Sequence, residues 1–138
     1  MSVRKNDRTE GDLTVIVKAK ELAAYTLRIT HNEKVFPKRY RFSMTERILE
    51  KTMNILTELI EANELYPHNK AEFEARQLKQ RRAMANCRSL LTLIDLCYEA
   101  FNIDTGKIEF WTRSVVEVRK LTIAWLRKDE ERFIKFQN

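Results

Sequence analysis

The sequence predicts an all-α fold, an antiparallel up-down-up-down four-helix bundle, and three observations carry that expectation. Two glycines and two prolines in 138 residues leave most of the chain without the punctuation that turns and sheets need. Apolar residues recur at three- and four-residue spacing in four long segments. The breaks between the segments are short, and short connections favour antiparallel neighbours. A chain of 138 residues fits one domain and buries a core without disulfide or metal. Residues 1–12, polar and charge-mixed, are expected to form a flexible N-terminal tail, and residues 13–138 a single four-helix-bundle domain.

The first segment runs from about Leu13 to Thr30, with Asp12 as its N-cap and Val15, Leu22, Tyr25, Thr26 and Ile29 along one side. A basic connector follows, Phe36-Pro37-Lys38-Arg39-Tyr40-Arg41-Phe42. Phe36 and Phe42 are expected to anchor it to the bundle and Pro37 to stiffen it. Ser43 and Glu46 have capping-box spacing, so the second segment is set from about Ser43 to Leu65. Its stripe is Ile48, Thr52, Ile55, Leu59 and Ala62, with Leu49, Met53, Leu56 and Ile60 beside it. That apolar surface covers close to about half the helix, where a bundle needs a stripe a little over about a quarter-turn wide. A second copy of the chain or a thick intramolecular core would account for the excess.

Tyr66-Pro67-His68-Asn69 ends the second segment, because proline disfavours helix at the preceding residue. The third spans about Lys70 to Phe101, with a seam read as Phe73, Gln77, Gln80, Met84, Cys87, Leu91, Ile94, Tyr98 and Phe101. Glutamines in its first half suggest an end that faces solvent. Asn102 to Gly106 makes a turn, and the fourth segment, about Lys107 to Phe133, carries Ile108, Trp111, Val115, Val118, Thr122 and Trp125.

Residues for catalysis or metal binding are sparse, so no enzymatic activity and no cofactor are expected. Cys87 and Cys97 lie ten apart on one helix, about 15 Å by helix rise and on different faces, and read as buried free thiols. His31 and His68 sit beside helix ends. No Glu-x-x-His pair for a di-iron bundle is present. Two glycines cannot build a phosphate-cradling loop or a dinucleotide fingerprint. No apolar run reaches the roughly 20 residues of a membrane span and the start lacks a signal-peptide core, so the cytosol is the expected location.

Charge carries more information. Lys and Arg total 26 against 20 Asp and Glu, a formal net charge of +6 that favours anionic partners. The second segment is acidic, at −3 from Ser43 to Tyr66, whereas Glu33 to Phe42 and Lys107 to Asn138 each carry +3. On the third segment Arg76, Lys79 and Arg82 recur every three residues, with Arg81 and Arg88 seven apart. On the fourth, Arg113, Lys120 and Arg127 recur every seven, with Arg119 and Lys128 close by. Stripes of this kind can track a phosphate backbone. Intrahelical pairing is the competing reading, since Glu109 with Arg113, Arg113 with Glu117 and Arg127 with Glu131 have the right spacing. Lys38, Arg39, Arg41, Lys79, Arg81 and Arg82 have few acidic neighbours.

Phe36-Pro37-Lys38, Arg41-Phe42, the helix start with Ile48, and Ile-Glu-Ala-Asn at Ile60 to Asn63 resemble the signature of accessory variability determinant (Avd) proteins of diversity-generating retroelements. These are four-helix-bundle proteins related to the intervening-sequence proteins of ribosomal RNA genes. Arg88 to Leu96 is similar to the family's third helix, and Glu117-Val118-Arg119-Lys120-Leu121 through Trp125-Leu126-Arg127 to its fourth. The resemblance covers about Leu13 to Lys128. It implies a homopentameric barrel whose cations bind RNA and DNA with little sequence preference and which associates with a reverse transcriptase to support mutagenic cDNA synthesis. Arg119 stands where the family favours Gly, and Ile123 with Ala124 replace a Gly pair. A structural adaptor that binds no nucleic acid itself is the alternative.

Overall fold

Four helices make up the computed structural model, which describes residues 10–138 and their side chains from residue 14: α1 (Glu10–His31), α2 (Glu46–Glu64), α3 (Lys70–Phe101) and α4 (Thr105–Arg132). No strand occurs among the described residues. Helix α1 packs on α2 and α4, and α3 packs on the same two, so the four stand in a ring. Contacts between opposite ends fix their directions. Trp111, near the start of α4, donates its indole N–H to Thr26, near the end of α1, at 3.0 Å. Lys79, early in α3, pairs with Glu61, late in α2, at 2.8 Å.

The helix starts differ from their expected caps. Helix α1 already includes Glu10, so Asp12 lies inside it and cannot be its N-cap, while the first nine residues of the expected tail lie outside the described residues. The Ser43–Glu46 capping box does not form. The chain enters α2 through a 3-10 turn, Lys38–Tyr40, and a π-helical turn, Arg41–Thr45. The Glu46 amide, which a Ser43 cap would take, is already bonded to the Arg41 carbonyl, and the Ser43 hydroxyl turns back to the Tyr40 carbonyl at 3.4 Å. The built caps are elsewhere. Asn69 Oδ1 accepts the Glu72 amide at 2.9 Å while the Glu72 carboxylate accepts the His68 amide at 2.7 Å. The bond from the His68 amide, with one to the His68 ring, pulls the Glu72 pKa below its ordinary value. Asp104 Oδ2 accepts the Lys107 amide at 3.3 Å and caps α4. Between α3 and α4, Asn102 takes the left-handed conformation at φ 55°, which asparagine tolerates better than most residues.

The core follows the periodic stripes on three helices. Val15, Leu22, Thr26 and Ile29 of α1, all five predicted positions of α2, and Trp111, Val115, Val118, Thr122 and Trp125 of α4 are buried. Thr26, Thr52 and Thr122 each donate to the carbonyl four residues earlier at 2.8 Å, so their hydroxyls enter the core satisfied. On α3 every second expected position shifts by one. Phe73, Gln80, Cys87 and Ile94 are buried as read, but Arg76, Ala83, Leu90 and Cys97 fill the places assigned to Gln77, Met84, Leu91 and Tyr98. Consequently the glutamine-bearing end of α3 is interior rather than solvent-facing, and both cysteines lie on the buried seam.

At the α1–α2 end, Phe36 is buried edge-on against Phe101 and Trp111, with ring centroids 5.6 and 5.8 Å away. Phe42 does not share this role: it is 78% exposed. No helix among the described residues is long and apolar enough to cross a membrane.

Candidate nucleic-acid interface

The largest correction concerns Arg76, expected among the surface cations and found 1% exposed. Its position on the α3 seam carries it inward, where its guanidinium meets Asp129 of α4 and lies 4.8 Å from the Trp125 ring centroid. A guanidinium held there cannot reach a phosphate outside the bundle. Lys79 is half-buried and engaged with Glu61, and Arg119 is half-buried with its Nε enclosed and without a hydrogen-bond partner. Arg119 projects toward Cys87, whose thiol it would otherwise help ionise. Burial dominates and pushes the Cys87 pKa up to about 12; Cys97 is pushed up to about 12 by burial alone.

The remaining cations are exposed. Arg113, Lys120 and Arg127 form a row on the outer face of α4, one heptad apart and about 21 Å long by helix rise. Arg81, Arg82 and Arg88 are exposed on α3, and Lys128 beside Arg127. Among the described residues, none of the three intrahelical pairs allowed by spacing forms within 4.0 Å; Glu117 instead meets Lys18 of α1 at 3.6 Å. These side chains therefore offer their charge to a partner outside the chain. Arg88 borders two shallow clefts, one reaching Arg47 and Lys51 of α2 and the other Thr112 and Val116 of α4.

Lys38, Arg39 and Arg41 are also exposed, at the end of the bundle where α4 starts and away from Arg81, Arg82, Arg127 and Lys128. Tyr40 packs on Phe101, at the C-terminal end of α3, with centroids 4.7 Å apart. From Arg82 to Phe101 the rise along α3 is about 28 Å. The connector cations thus stand apart from Arg81, Arg82, Arg127 and Lys128, while Arg113 and Arg88 lie toward the connector end. Sequence reasoning missed Arg47, whose Nε donates to the Ser43 carbonyl at 3.2 Å and which stands beside the connector; its place four residues after Ser43 was the available signal.

The outer face of α2 is different in character. Leu49, Met53 and Leu56 are half-buried and Ile60 is 41% exposed, so the wide apolar face is only partly covered within one chain. Among the described residues no three His, Cys, Asp or Glu side chains converge to hold a metal.

Fold and surface together define a basic four-helix bundle with exposed cations along two helices and a partly uncovered apolar face on a third. Compared with known protein families, curated proteins and solved structures, the chain has no match.

Proposed function

We propose that the protein is a non-catalytic accessory protein of a diversity-generating retroelement, binding RNA and DNA electrostatically and associating with the element's reverse transcriptase in the cytoplasm. The observation that carries the binding role is the exposed row Arg113, Lys120 and Arg127, free of ion pairs among the described residues and reinforced by Arg81, Arg82 and Arg88. The connector and fourth-helix resemblance carries the assignment to the retroelement. A homo-oligomer, a pentamer by the same resemblance, is supported by the partly covered face of Leu49, Met53, Leu56 and Ile60. That apolar face also favours a second reading, an oligomeric adaptor that docks on the polymerase and leaves nucleic acid to it.

Titration of labelled RNA and DNA with the isolated protein at rising salt separates the two. Direct binding gives an affinity whose logarithm falls linearly with log salt, by about 0.9 per duplex phosphate contact. No shift at low salt, or a shift indifferent to salt, leaves the adaptor. Co-purification with a reverse transcriptase encoded beside it, and the native mass with and without that polymerase, test the remaining parts.

A further inference from the structure

From Phe42 we infer a stacking platform for the bases of a single-stranded nucleic acid, with Lys38, Arg39 and Arg41 holding the adjoining phosphates; this rests on the nucleic-acid reading above. Among the described residues Phe42 is the most exposed large apolar side chain, at 78%, which leaves most of its ring in water. It stands on the π-helical turn Arg41–Thr45, a distortion found often at functional sites. The turn seats Thr45 in the core and leaves Phe42 outside.

The chain on either side of Phe42 is anchored to the bundle. Phe36 is wedged against Phe101 and Trp111, Tyr40 lies on Phe101, and the Arg39 guanidinium covers the Tyr40 ring at 5.0 Å. Arg47 ties the turn through the Ser43 carbonyl. A ring presented on an anchored turn loses little further freedom when a base settles on it, so more of the stacking energy survives as affinity.

Charge selects the occupant. Lys38, Arg39, Arg41 and Arg47 are exposed within five residues of Phe42 in sequence, and among the described residues none makes an ion pair, although Glu33 and Glu46 share a cleft of ≈ 500 Å³ with Lys38 and Arg41. A second copy docking two-fold through the same face would bring these cations against their own kind, and one docking through a different face is the case that native mass tests. A nucleic acid brings phosphates to the cations and a π-face to the ring. Bases inside a duplex are already stacked, whereas unstacked bases of a single strand are free to meet the ring.

Fluorescence anisotropy with labelled oligo(dT), oligo(rU) and a duplex DNA of matching length, in low salt, provides the test. Phe42→Ala should weaken both single strands by about 5- to 100-fold and leave the duplex unaffected. Phe42→Trp should retain the affinity and add an indole emission, over the wild type's, that oligo(dT) quenches. Equal losses on single strand and duplex, or none on either, overturn the platform while leaving the nucleic-acid reading standing. A drop in native mass for Phe42→Ala assigns the ring to a second copy and also overturns it. Wild-type protein that binds none of the three probes overturns the nucleic-acid reading itself, and the platform with it.

Discussion

The Arg76 guanidinium grips the Asp129 carboxylate with two bonds, Nε to Oδ2 at 2.7 Å and Nη2 to Oδ1 at 3.1 Å, where the two side chains are 1% and 0% exposed. The pair joins α3 to α4 across 53 residues of sequence, and Arg76 Nη1 also donates to the Ala62 carbonyl at the end of α2, at 3.2 Å. Asp129 accepts further bonds from Gln80 Nε2 and Arg132 Nη2, both at 2.8 Å, so its acceptor positions are filled. One end of the bundle is thus closed by a buried polar network set among the rings of Phe73, Trp125 and Phe133.

Breaking this pair from one side should destabilise the fold strongly. Arg76→Ala removes two of the four bonds to the buried Asp129 carboxylate and leaves it to Gln80 and Arg132, so the expected loss is about 3 kcal/mol by urea denaturation. Replacing both partners, with Arg76→Met and Asp129→Leu, removes the two charges together and should recover most of that loss. A double variant as unstable as the single one would show that the bonds from Arg76 to the α2 carbonyl, or those from Gln80 and Arg132 to Asp129, matter more than the ion pair.

Trp125 belongs to the same cluster. It is 3% exposed with Arg76 against its ring, so Trp125→Ala should cost about 3 to 5 kcal/mol in the same assay. Because the indole and the guanidinium touch, the Trp125 and Arg76 losses should not add. A double-mutant cycle measures the shortfall, and strict additivity would contradict the stacked geometry.

The α3 seam shows where sequence reading succeeds and where it stops. Four helices and the faces of α1, α2 and α4 follow from spacing, because the buried residues on those faces are mostly apolar, with threonines that bond within their own helix. On α3, Arg76, Ala83 and Cys97 are buried where Gln77, Met84 and Tyr98 look like better core residues. Their burial is decided by the neighbours that α2 and α4 supply, above all Asp129, which no local pattern announces. The same limit applied to the candidate site. Arg113, Lys120 and Arg127 were legible as a row from seven-residue spacing, whereas Arg76 had the composition of a surface cation and only the tertiary pairing moved it inside. At Ser43 the spacing of a cap was present, but the π-helical turn had already taken the amide the cap needed.

The two buried thiols make the fold sensitive to alkali. Burial raises both pKa values from 9.0 to about 12, so the folded chain holds protons that the unfolded chain releases first. The stabilisation is complete below about pH 9 and is lost as pH rises toward about 12. Between about pH 8 and about pH 10 the wild type should lose about 1 kcal/mol per thiol more than a Cys87→Ala, Cys97→Ala variant loses. Parallel pH dependences for the two proteins would mean that the thiols are reached by water. Thiol-specific reagents should react with the native chain only at the rate at which it opens.

The exposed cations make a prediction that separates binding from packing. Arg81, Arg82 and Arg88 are off the α3 seam and exposed, so replacing all three by Ala should leave the melting temperature unchanged. If each neutralises a phosphate on duplex DNA, the slope of log affinity against log salt should become shallower by about 3. The Arg113, Lys120 and Arg127 row should give a change of the same size, because it too is exposed and free of ion pairs among the described residues. Arg76→Ala behaves oppositely, lowering stability without altering the salt slope of the fraction still folded. A polymerase-facing role for either triple shows as an unchanged salt slope together with loss of co-purification, so the two measurements assign each set of cations to nucleic acid or to protein.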